Sequence, residues 1–381
     1  MQWGLCQENR EPAYKLLILY YAEKDSVEMD VPVKLDTSEI IDRHKRFFAC
    51  KMTDEILITI NSNYADDSMP HPRSFAPNME KVCSAYKQIF EFRKNLGDDN
   101  LPVMWANYGA GLMGGFLGAD VFFENGTSWS QPILKELDDI NKINFTRESQ
   151  WAIKVDESNA YFMSQSQSDF FVGASLIGGP GDIAYALCGP RIYADVYDNP
   201  TAMHSLLQKV TYWLIKRTKN EYSRTSQNTG LRFYPWELGG FCCNEDIAFL
   251  SDDGFGACSA PMYEDFALPY AQQFIDAFDG GIFHLHSASL HILPSILKIK
   301  GIRVLQFSQD PKVKSPYEMR FELRRQCGDL PLLIDVFNVN EFCSDLECGN
   351  LPGGIMYRLS NVKWEDAQNL IYKARSYKND R

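Results

Sequence analysis

Short apolar runs recur along the chain, and each is followed by a loop and then by a longer segment with helical spacing. Most of these runs are continuously apolar, which is typical of strands in a parallel sheet that is covered on both faces. The predicted strands are Ile56–Ile60, Val121–Glu124, Phe170–Leu176, Leu231–Trp236, Ile282–His286, Val304–Phe307, Leu332–Phe337 and Ile355–Leu359. Eight strand–helix units predict a single (β/α)8 TIM barrel, and an open doubly wound sheet is the alternative.

Apolar residues spaced three to four apart predict helices between several of these strands. The clearest helical segments are Asn78–Arg93, Thr201–Tyr222, Ala260–Phe278 and Lys363–Ala374. The first 50 residues are predicted to form a peripheral helical extension, with an amphipathic helix that begins near Asp36. No low-complexity linker divides the chain, so the predicted domains are the extension, residues 1–50, and the barrel, residues 51–381.

The composition of the 381 residues narrows the class of protein. The formal net charge of -12 argues against nucleic-acid binding, which needs clustered Lys and Arg side chains. The sequence has no apolar run of about 18 residues that would span a membrane. It also lacks a recognisable signal peptide, so we expect a cytoplasmic protein. In that compartment we expect the ten cysteines to be free thiols.

If the barrel is correct, the active site lies on the loops after the strands. His284 and His286 lie at the end of one strand, two residues apart, so their side chains point to the same face. Two imidazoles placed in this way can share a metal ion, or they can act as acid and base near neutral pH. The structural alternative is one core histidine bonded to a carbonyl group and a second one at the rim.

Two carboxylates in the loop after the segment Leu231–Trp236 are the favoured partners of this histidine pair. Glu245 and Asp246 are predicted to be catalytic, and Glu245 is the predicted third metal ligand, because carboxylate oxygens bind zinc at distances similar to those of imidazole nitrogens. The alternative is a helix cap with solvated charges, and the same alternative applies to Asp252 and Asp253.

Further polar and aromatic residues at strand ends are candidates for binding a substrate. They are Asn107, Asn125, Trp236, Glu237, Gln306 and Ser308. Gln306, Ser308 and Asp310 share one face of a strand, where a structural hydrogen-bond network is equally compatible with the pattern. The glycine-rich segment 109–118 does not have the spacing of a nucleotide-binding loop, so it predicts close packing instead.

Four segments resemble the uroporphyrinogen decarboxylase-like superfamily. They are Gly178–Gly189, Ser259–Tyr270, Gly281–Ser287 and Gly354–Ala367. This superfamily includes the heme-pathway decarboxylase and zinc methyltransferases that move a methyl group between a corrinoid and a thiol. The resemblance covers roughly residues 45–376, and it implies a single (β/α)8 barrel.

The sequence departs from the decarboxylase at two places. The segment 61–69 contains no arginine, although the decarboxylase uses an arginine-rich segment to hold carboxylates, and Asn125 stands where it has a catalytic aspartate. The zinc methyltransferases use a His-x-Cys pair and a later cysteine. His284 matches that histidine, whereas His286 replaces the first cysteine and the last strand has no cysteine; Cys348 lies upstream of it.

These departures exclude tetrapyrrole decarboxylation more firmly than methyl transfer. The resemblance therefore implies a zinc-dependent methyltransferase that acts on a small molecule with a corrinoid protein as its partner, and it is compatible with a homodimer. One alternative is a metal-free decarboxylase or lyase that acts on a small carboxylated substrate. The other is a barrel that binds a ligand without turnover.

Overall fold

A computed structural model describes residues 37–61, 72–124, 127–146, 148–166, 169–175, 178–236 and 239–379. The strands are β1 (Ile56–Ile60), β2 (Val103–Met104), β3 (Val121–Glu124), β4 (Thr127–Ser130), β5 (Phe171–Val172), β6 (Arg232–Trp236), β7 (Gly239–Cys243), β8 (Ala248–Ser251), β9 (Gly281–His286), β10 (Ile302–Ser308), β11 (Leu332–Val336) and β12 (Ile355–Leu359).

Helices fill most of the connections between these strands. The α-helices are α1 (Thr37–Phe48), α2 (Met79–Arg93), α3 (Leu112–Gly115), α4 (Gln150–Gln165), α5 (Pro180–Cys188), α6 (Ile192–Asp198), α7 (Pro200–Arg224), α8 (Ala260–Phe266), α9 (Leu268–Asp276), α10 (Leu293–Ile296), α11 (Arg320–Cys327), α12 (Val339–Glu347) and α13 (Trp364–Arg375). Short 3-10 helices cover Pro72–Phe75, Leu137–Lys142, Gly189–Arg191 and Ser287–Ile292.

Six strands form a parallel sheet in the order β1-β12-β11-β10-β9-β8. All five residues of β1 and of β11 are buried, as expected for apolar strands that are covered on both faces. The last strand pairs with the first, which is the arrangement that a barrel requires. The fold is therefore compatible with the predicted TIM barrel, although the ladder does not close within the described parts of the chain.

The free edge of β1 shows why the ladder stops there. The backbone N–H groups of Ile58 and Ile60 donate to the carboxylates of Asp99 and Asp98, at 2.9 and 2.8 Å. These side chains occupy the donors that a neighbouring strand would need. β2 pairs instead with β5, as a separate parallel ladder of two strands.

Two predicted parallel strands belong to antiparallel hairpins instead. β3 pairs with β4, and β6 pairs with β7, so Val121–Glu124 and Leu231–Trp236 were assigned to the wrong kind of sheet. The strand that joins the main sheet in this region is β8, which is only four residues long and was missed. The predicted helix Ala260–Phe278 is split into α8 and α9, because Pro269 has no N–H to continue the helical hydrogen bonds.

The described part of the N-terminal region contains one helix of the predicted extension. α1 agrees with the amphipathic helix predicted near Asp36, whereas the rest of the predicted extension, residues 1–36, lies outside the described residues. No helix of the described ranges combines the length and the apolar character that crossing a membrane would require.

Candidate functional site

The end of β9 places two imidazole rings side by side. The ring centroids of His284 and His286 are 4.8 Å apart, and the planes are nearly perpendicular at 87°. Ser251, the last residue of β8, is paired with His284, so the turn after β8 brings Asp253 to the same place. One ligand atom from each of Asp253, His284 and His286 lies within 4.8 Å of the other two. This set of three side chains is the candidate metal centre.

A chain of hydrogen bonds supports His284. Its Nδ1 atom is in a short hydrogen bond with the side-chain oxygen of Gln306, the residue opposite it on β10. The amide nitrogen of Gln306 donates to the hydroxyl of Ser308 at 3.0 Å. That hydroxyl donates to Asp335 at 3.2 Å, and Asp335 forms a bidentate ion pair with Arg358.

His286 is supported by a separate carboxylate. Its Nδ1 atom is 2.8 Å from an oxygen of Asp310, and its Nε2 atom is 3.7 Å from an oxygen of Asp253. Asp310 also accepts a hydrogen bond from the backbone N–H of Ala288, at 2.9 Å, and its own N–H donates to Ser287 at 2.8 Å. Asp310 is therefore fixed by the loop after β9 and orients the ring of His286.

Burial fixes the charge state of His284. Burial, together with the neighbouring His286, lowers the pKa of this imidazole to about 4. His284 is therefore neutral near pH 7. A neutral imidazole is the form that ligates a metal ion.

Two buried carboxylates hold the turn that carries Asp253. Asp182, on the first turn of α5, accepts hydrogen bonds from the N–H of Gly254 at 2.9 Å and from the hydroxyl of Ser251. Asp252 accepts from the N–H of Gly181 at 3.2 Å and from Tyr263 at 3.1 Å. Burial, together with the charge of Asp253, raises the pKa of Asp182 to about 6.

The packing between α5 and this turn depends on glycine. A Cβ atom at Gly179 would collide with the carbonyl oxygen of Ser251, and one at Gly181 would press on Phe255 and Asp252. The glycine-rich start of the segment Gly178–Gly189 therefore lets α5 approach the end of β8. This close approach of α5 places Asp253 beside the two histidines.

The structure does not bring Glu245 and Asp246 to the histidines. Both precede β8 and so lie at the opposite end of that strand from Asp253. Glu245 pairs with Arg303 at 2.7 Å, and Asp246 pairs with Arg232. The predicted third ligand, Glu245, is therefore replaced by Asp253 in the candidate metal centre. The error follows from taking β6, a hairpin strand, as the strand that feeds the site.

The predicted substrate-binding residues have different placements. Asn107 follows β2 and is buried, and its amide nitrogen has no hydrogen-bond partner within the described ranges, so it can donate to a ligand. Gln306 and Ser308 are used to support His284. Asn125 and Glu237 lie outside the described residues, as does the side chain of Trp236.

Four residues that lie beside or support the two histidines were not predicted as site residues. Asp253 and Asp310 were noticed as polar residues near strand ends, but neither was chosen for the site. Asp335 and Arg358 were missed altogether. They are the single charged residues of β11 and β12, and a charged residue inside a buried apolar strand needs a partner, which was the available signal.

The adjacent cysteines Cys242 and Cys243 have structural surroundings. The Sγ atom of Cys242 faces His44 at 3.9 Å, while that of Cys243 donates to the carbonyl oxygen of Glu245 at 3.2 Å. Burial raises the pKa of both thiols to about 12. The glycine-rich segment also packs closely, since Gly111 and Gly114 leave no room for a Cβ atom beside β4.

The comparisons with known proteins concern the fold. No protein-family model and no curated protein sequence matches this chain. A methyltransferase from Methanosarcina mazei has a similar structure, with a TM-score of 0.59 that covers 88% of this chain and 98% of the methyltransferase. The two sequences are 11% identical. At this identity the likeness shows a shared fold.

Proposed function

We propose that this protein is a zinc-dependent methyltransferase of the uroporphyrinogen decarboxylase-like kind, with the metal held by His284, His286 and Asp253. The observation that carries the proposal is the convergence of these three side chains, whose ligand atoms lie within 4.8 Å of one another. Two imidazoles and one carboxylate are a ligand set of catalytic zinc sites, which keep one position open for water or substrate.

The hydrogen bonds of the two imidazoles support this ligand set. Each Nδ1 atom faces an acceptor oxygen, from Gln306 in the case of His284 and from Asp310 in the case of His286. In a neutral ring whose Nδ1 atom is protonated, the lone pair is on Nε2. Histidines that bind metals in proteins commonly donate their other N–H group in this way.

A bound zinc ion would supply Lewis acidity and would keep a coordinated thiol in its thiolate form. Asp253 is the most exposed of the three side chains that would hold the ion. We propose that a small methylated molecule and a corrinoid protein are the two partners of the methyl transfer. The shared fold with a methyltransferase supports this reaction class.

The residues of this chain do not favour the reaction of the heme-pathway decarboxylase. The comparable N-terminal segment, residues 61–69, contains no arginine that could hold a substrate with many carboxylates. Around the histidine pair the described groups include the acids Asp253 and Asp310, and Arg358 is already paired with Asp335. This acidic surrounding suits a metal ion better than it suits a polycarboxylate.

The first test is the zinc content of protein prepared without a histidine tag and supplied with zinc. We expect about one zinc per chain, and less than a tenth of that in the double variant His284→Ala/His286→Ala. Asp253→Asn should lower the affinity, whereas Glu245→Gln should not. His291→Ala is the matched control, because His291 bonds to the carbonyl oxygen of Cys258 and lies outside the ligand set.

The second test is the reaction itself. Loaded protein should transfer a methyl group between methylcobalamin and a small thiol, which the visible spectrum of the corrinoid reports, and chelation should abolish the transfer. A protein that binds no zinc is incompatible with the proposal. Turnover in the presence of a chelator would then indicate a metal-free lyase, and ligand affinity without turnover would indicate a binding protein.

A further inference from the structure

Four neighbouring strands contribute to the hydrogen-bond chain that ends on His284. His284 lies on β9, Gln306 and Ser308 on β10, Asp335 on β11 and Arg358 on β12. We call this chain of five side chains the strand relay. The members come from strands that are adjacent in the sheet, so the relay runs across the sheet and perpendicular to the strands.

The hydrogen-bonding chemistry of Arg358 and Asp335 fixes which group donates in each bond of the strand relay. Arg358 can only donate, and its Nε and Nη2 atoms donate to the two oxygens of Asp335, at 2.7 and 2.8 Å. The carboxylate of Asp335 can only accept, so it receives the proton of the Ser308 hydroxyl at 3.2 Å. The oxygen of Ser308 is then left to act as an acceptor.

The direction continues to the imidazole. The amide nitrogen of Gln306 donates to Ser308 at 3.0 Å, and therefore its amide oxygen points away from Ser308 and towards the Nδ1 atom of His284. An amide oxygen cannot donate. The Nδ1 atom of His284 must carry the proton, which leaves the lone pair on Nε2.

We infer that the strand relay selects the tautomer of His284, and that Gln306, Ser308, Asp335 and Arg358 are positioning residues for it. An isolated amide beside an imidazole could flip and donate an N–H to Nδ1 instead. The ring would then carry its proton on Nε2. The fixed Arg358–Asp335 ion pair prevents this through Ser308. The use of this tautomer to bind zinc rests on the proposed function, whereas the selection itself does not.

The test is the side-chain NMR spectrum of the metal-free protein labelled with 15N-histidine, with His284 assigned from a His284→Gln variant. The nitrogen shifts distinguish a protonated ring nitrogen from an unprotonated one. In the wild type we expect His284 to be protonated at Nδ1 alone. In Ser308→Ala, which leaves Gln306 in contact with the ring, we expect a mixture of the two tautomers.

Asp335→Asn should give the same mixture, because an asparagine can donate to Ser308 as well as accept from it. Asp345→Asn is the matched control: Asp345 is also paired with an arginine, Arg320, but it lies on α12 outside the strand relay. A wild-type His284 that is protonated at Nε2 would overturn the inference. An unchanged Nδ1–H tautomer in folded Ser308→Ala would overturn it as well.

Zinc affinity gives a second readout. Loss of a residue that orients a metal-binding histidine typically weakens binding by about 10- to 100-fold. We expect about 10-fold for Ser308→Ala, and no change for Asp345→Asn. If the wild type binds no zinc but shows the Nδ1–H tautomer, the proposed function fails while the strand relay stands. If the wild type binds zinc but shows a mixture of the two tautomers, the strand relay fails while the proposed function stands.

Discussion

His44 and His284 are both held neutral, since burial lowers the pKa of each imidazole to about 4. Their partners differ. His44, on α1, has its Nε2 atom 2.7 Å from the carbonyl oxygen of Asp99, and its Nδ1 atom accepts from the backbone N–H of Cys242 at 3.2 Å. His284 is bonded through Nδ1 to the side chain of Gln306, and a second imidazole and a carboxylate lie beside it.

A lowered pKa therefore does not by itself identify a functional histidine. Backbone groups have a fixed hydrogen-bonding role, so the two bonds of His44 join α1 to Asp99 and to Cys242 on β7 and use both ring nitrogens. The strand relay of His284 bonds to Nδ1 through the side chain of Gln306, and His286 and Asp253 lie close enough to share a metal ion with this ring. The identity of the partners separates a structural histidine from a ligand.

The sharpest test of this contrast removes each ring in turn. We expect His284→Ala to weaken zinc binding by about 100-fold or more. It should lower the free energy of unfolding by only about 1–2 kcal/mol, because one buried acceptor, the oxygen of Gln306, loses its partner. We expect His44→Ala to lower the free energy of unfolding by roughly 2–4 kcal/mol, because it leaves two buried backbone groups without partners. Zinc affinity should be unchanged in folded His44→Ala. Isothermal titration and urea unfolding measure the two quantities.

Equal loss of zinc binding in both variants would contradict the contrast. It would mean that α1 and its bonds to β7 shape the metal centre. The same pair of measurements on His204→Ala gives a reference, since His204 is partly exposed and stacks on Phe266, away from both sites.

The sequence could predict the part of the fold in which each apolar run makes one parallel strand. The bounds of β1 and β12 agree with their predictions, and β9, β10 and β11 differ by a few residues. The hairpins were not predictable in this way. β6 is rich in aromatic residues, but it also carries Arg232 and Pro235, and its pairing with β7 shows that it belongs to another sheet.

In the candidate site, too, the sequence could predict what depends on a single strand but not what depends on the order of the strands. The spacing of His284 and His286 predicts a shared face, because it depends only on the geometry of one strand. The choice of carboxylate depends on which strand lies next to β9, and the pattern offered Glu245 and Asp246 as readily as Asp253. The strand relay joins residues that are distant in sequence, so no local pattern contains it.

The stability of the protein should depend on pH through His44. The folded pKa of His44 is about 4 and its ordinary value is 6.5, so the unfolded chain binds the extra proton between these values. Stability that is present above pH 6.5 is therefore lost as the pH falls towards 4. For this one group the loss between pH 7 and pH 5 is about 2 kcal/mol.

Urea unfolding of the wild type and of His44→Gln at both pH values measures this difference. The variant should lose about 2 kcal/mol less than the wild type over that interval, because the contribution of His284 is common to both proteins. Parallel pH dependences would show that folding does not change the pKa of His44, and the interpretation of its two backbone bonds would be wrong.

A smaller effect is expected at the carboxylate that orients His286. Asp310→Asn keeps the size of the side chain but can present an amide N–H to the Nδ1 atom of His286. We expect zinc affinity to fall by about 10-fold. Asp265→Asn is the matched control, since Asp265 lies 3.8 Å from the ring of His204 in a similar pair outside the site. An equal affinity of both variants would remove Asp310 from the account of the metal centre.

The smallest expected effect is that of Glu245→Gln, and it separates the two ends of β8. Glu245 is paired with Arg303, and both side chains are partly exposed. Exposed ion pairs contribute little, so the free energy of unfolding should fall by about 0.5 kcal/mol or less. Zinc affinity should be that of the wild type, whereas Asp253→Asn should reduce it. If Glu245→Gln instead weakens zinc binding more than Asp253→Asn does, the metal is held at the other end of the strand. The histidines would then belong to a site of another kind.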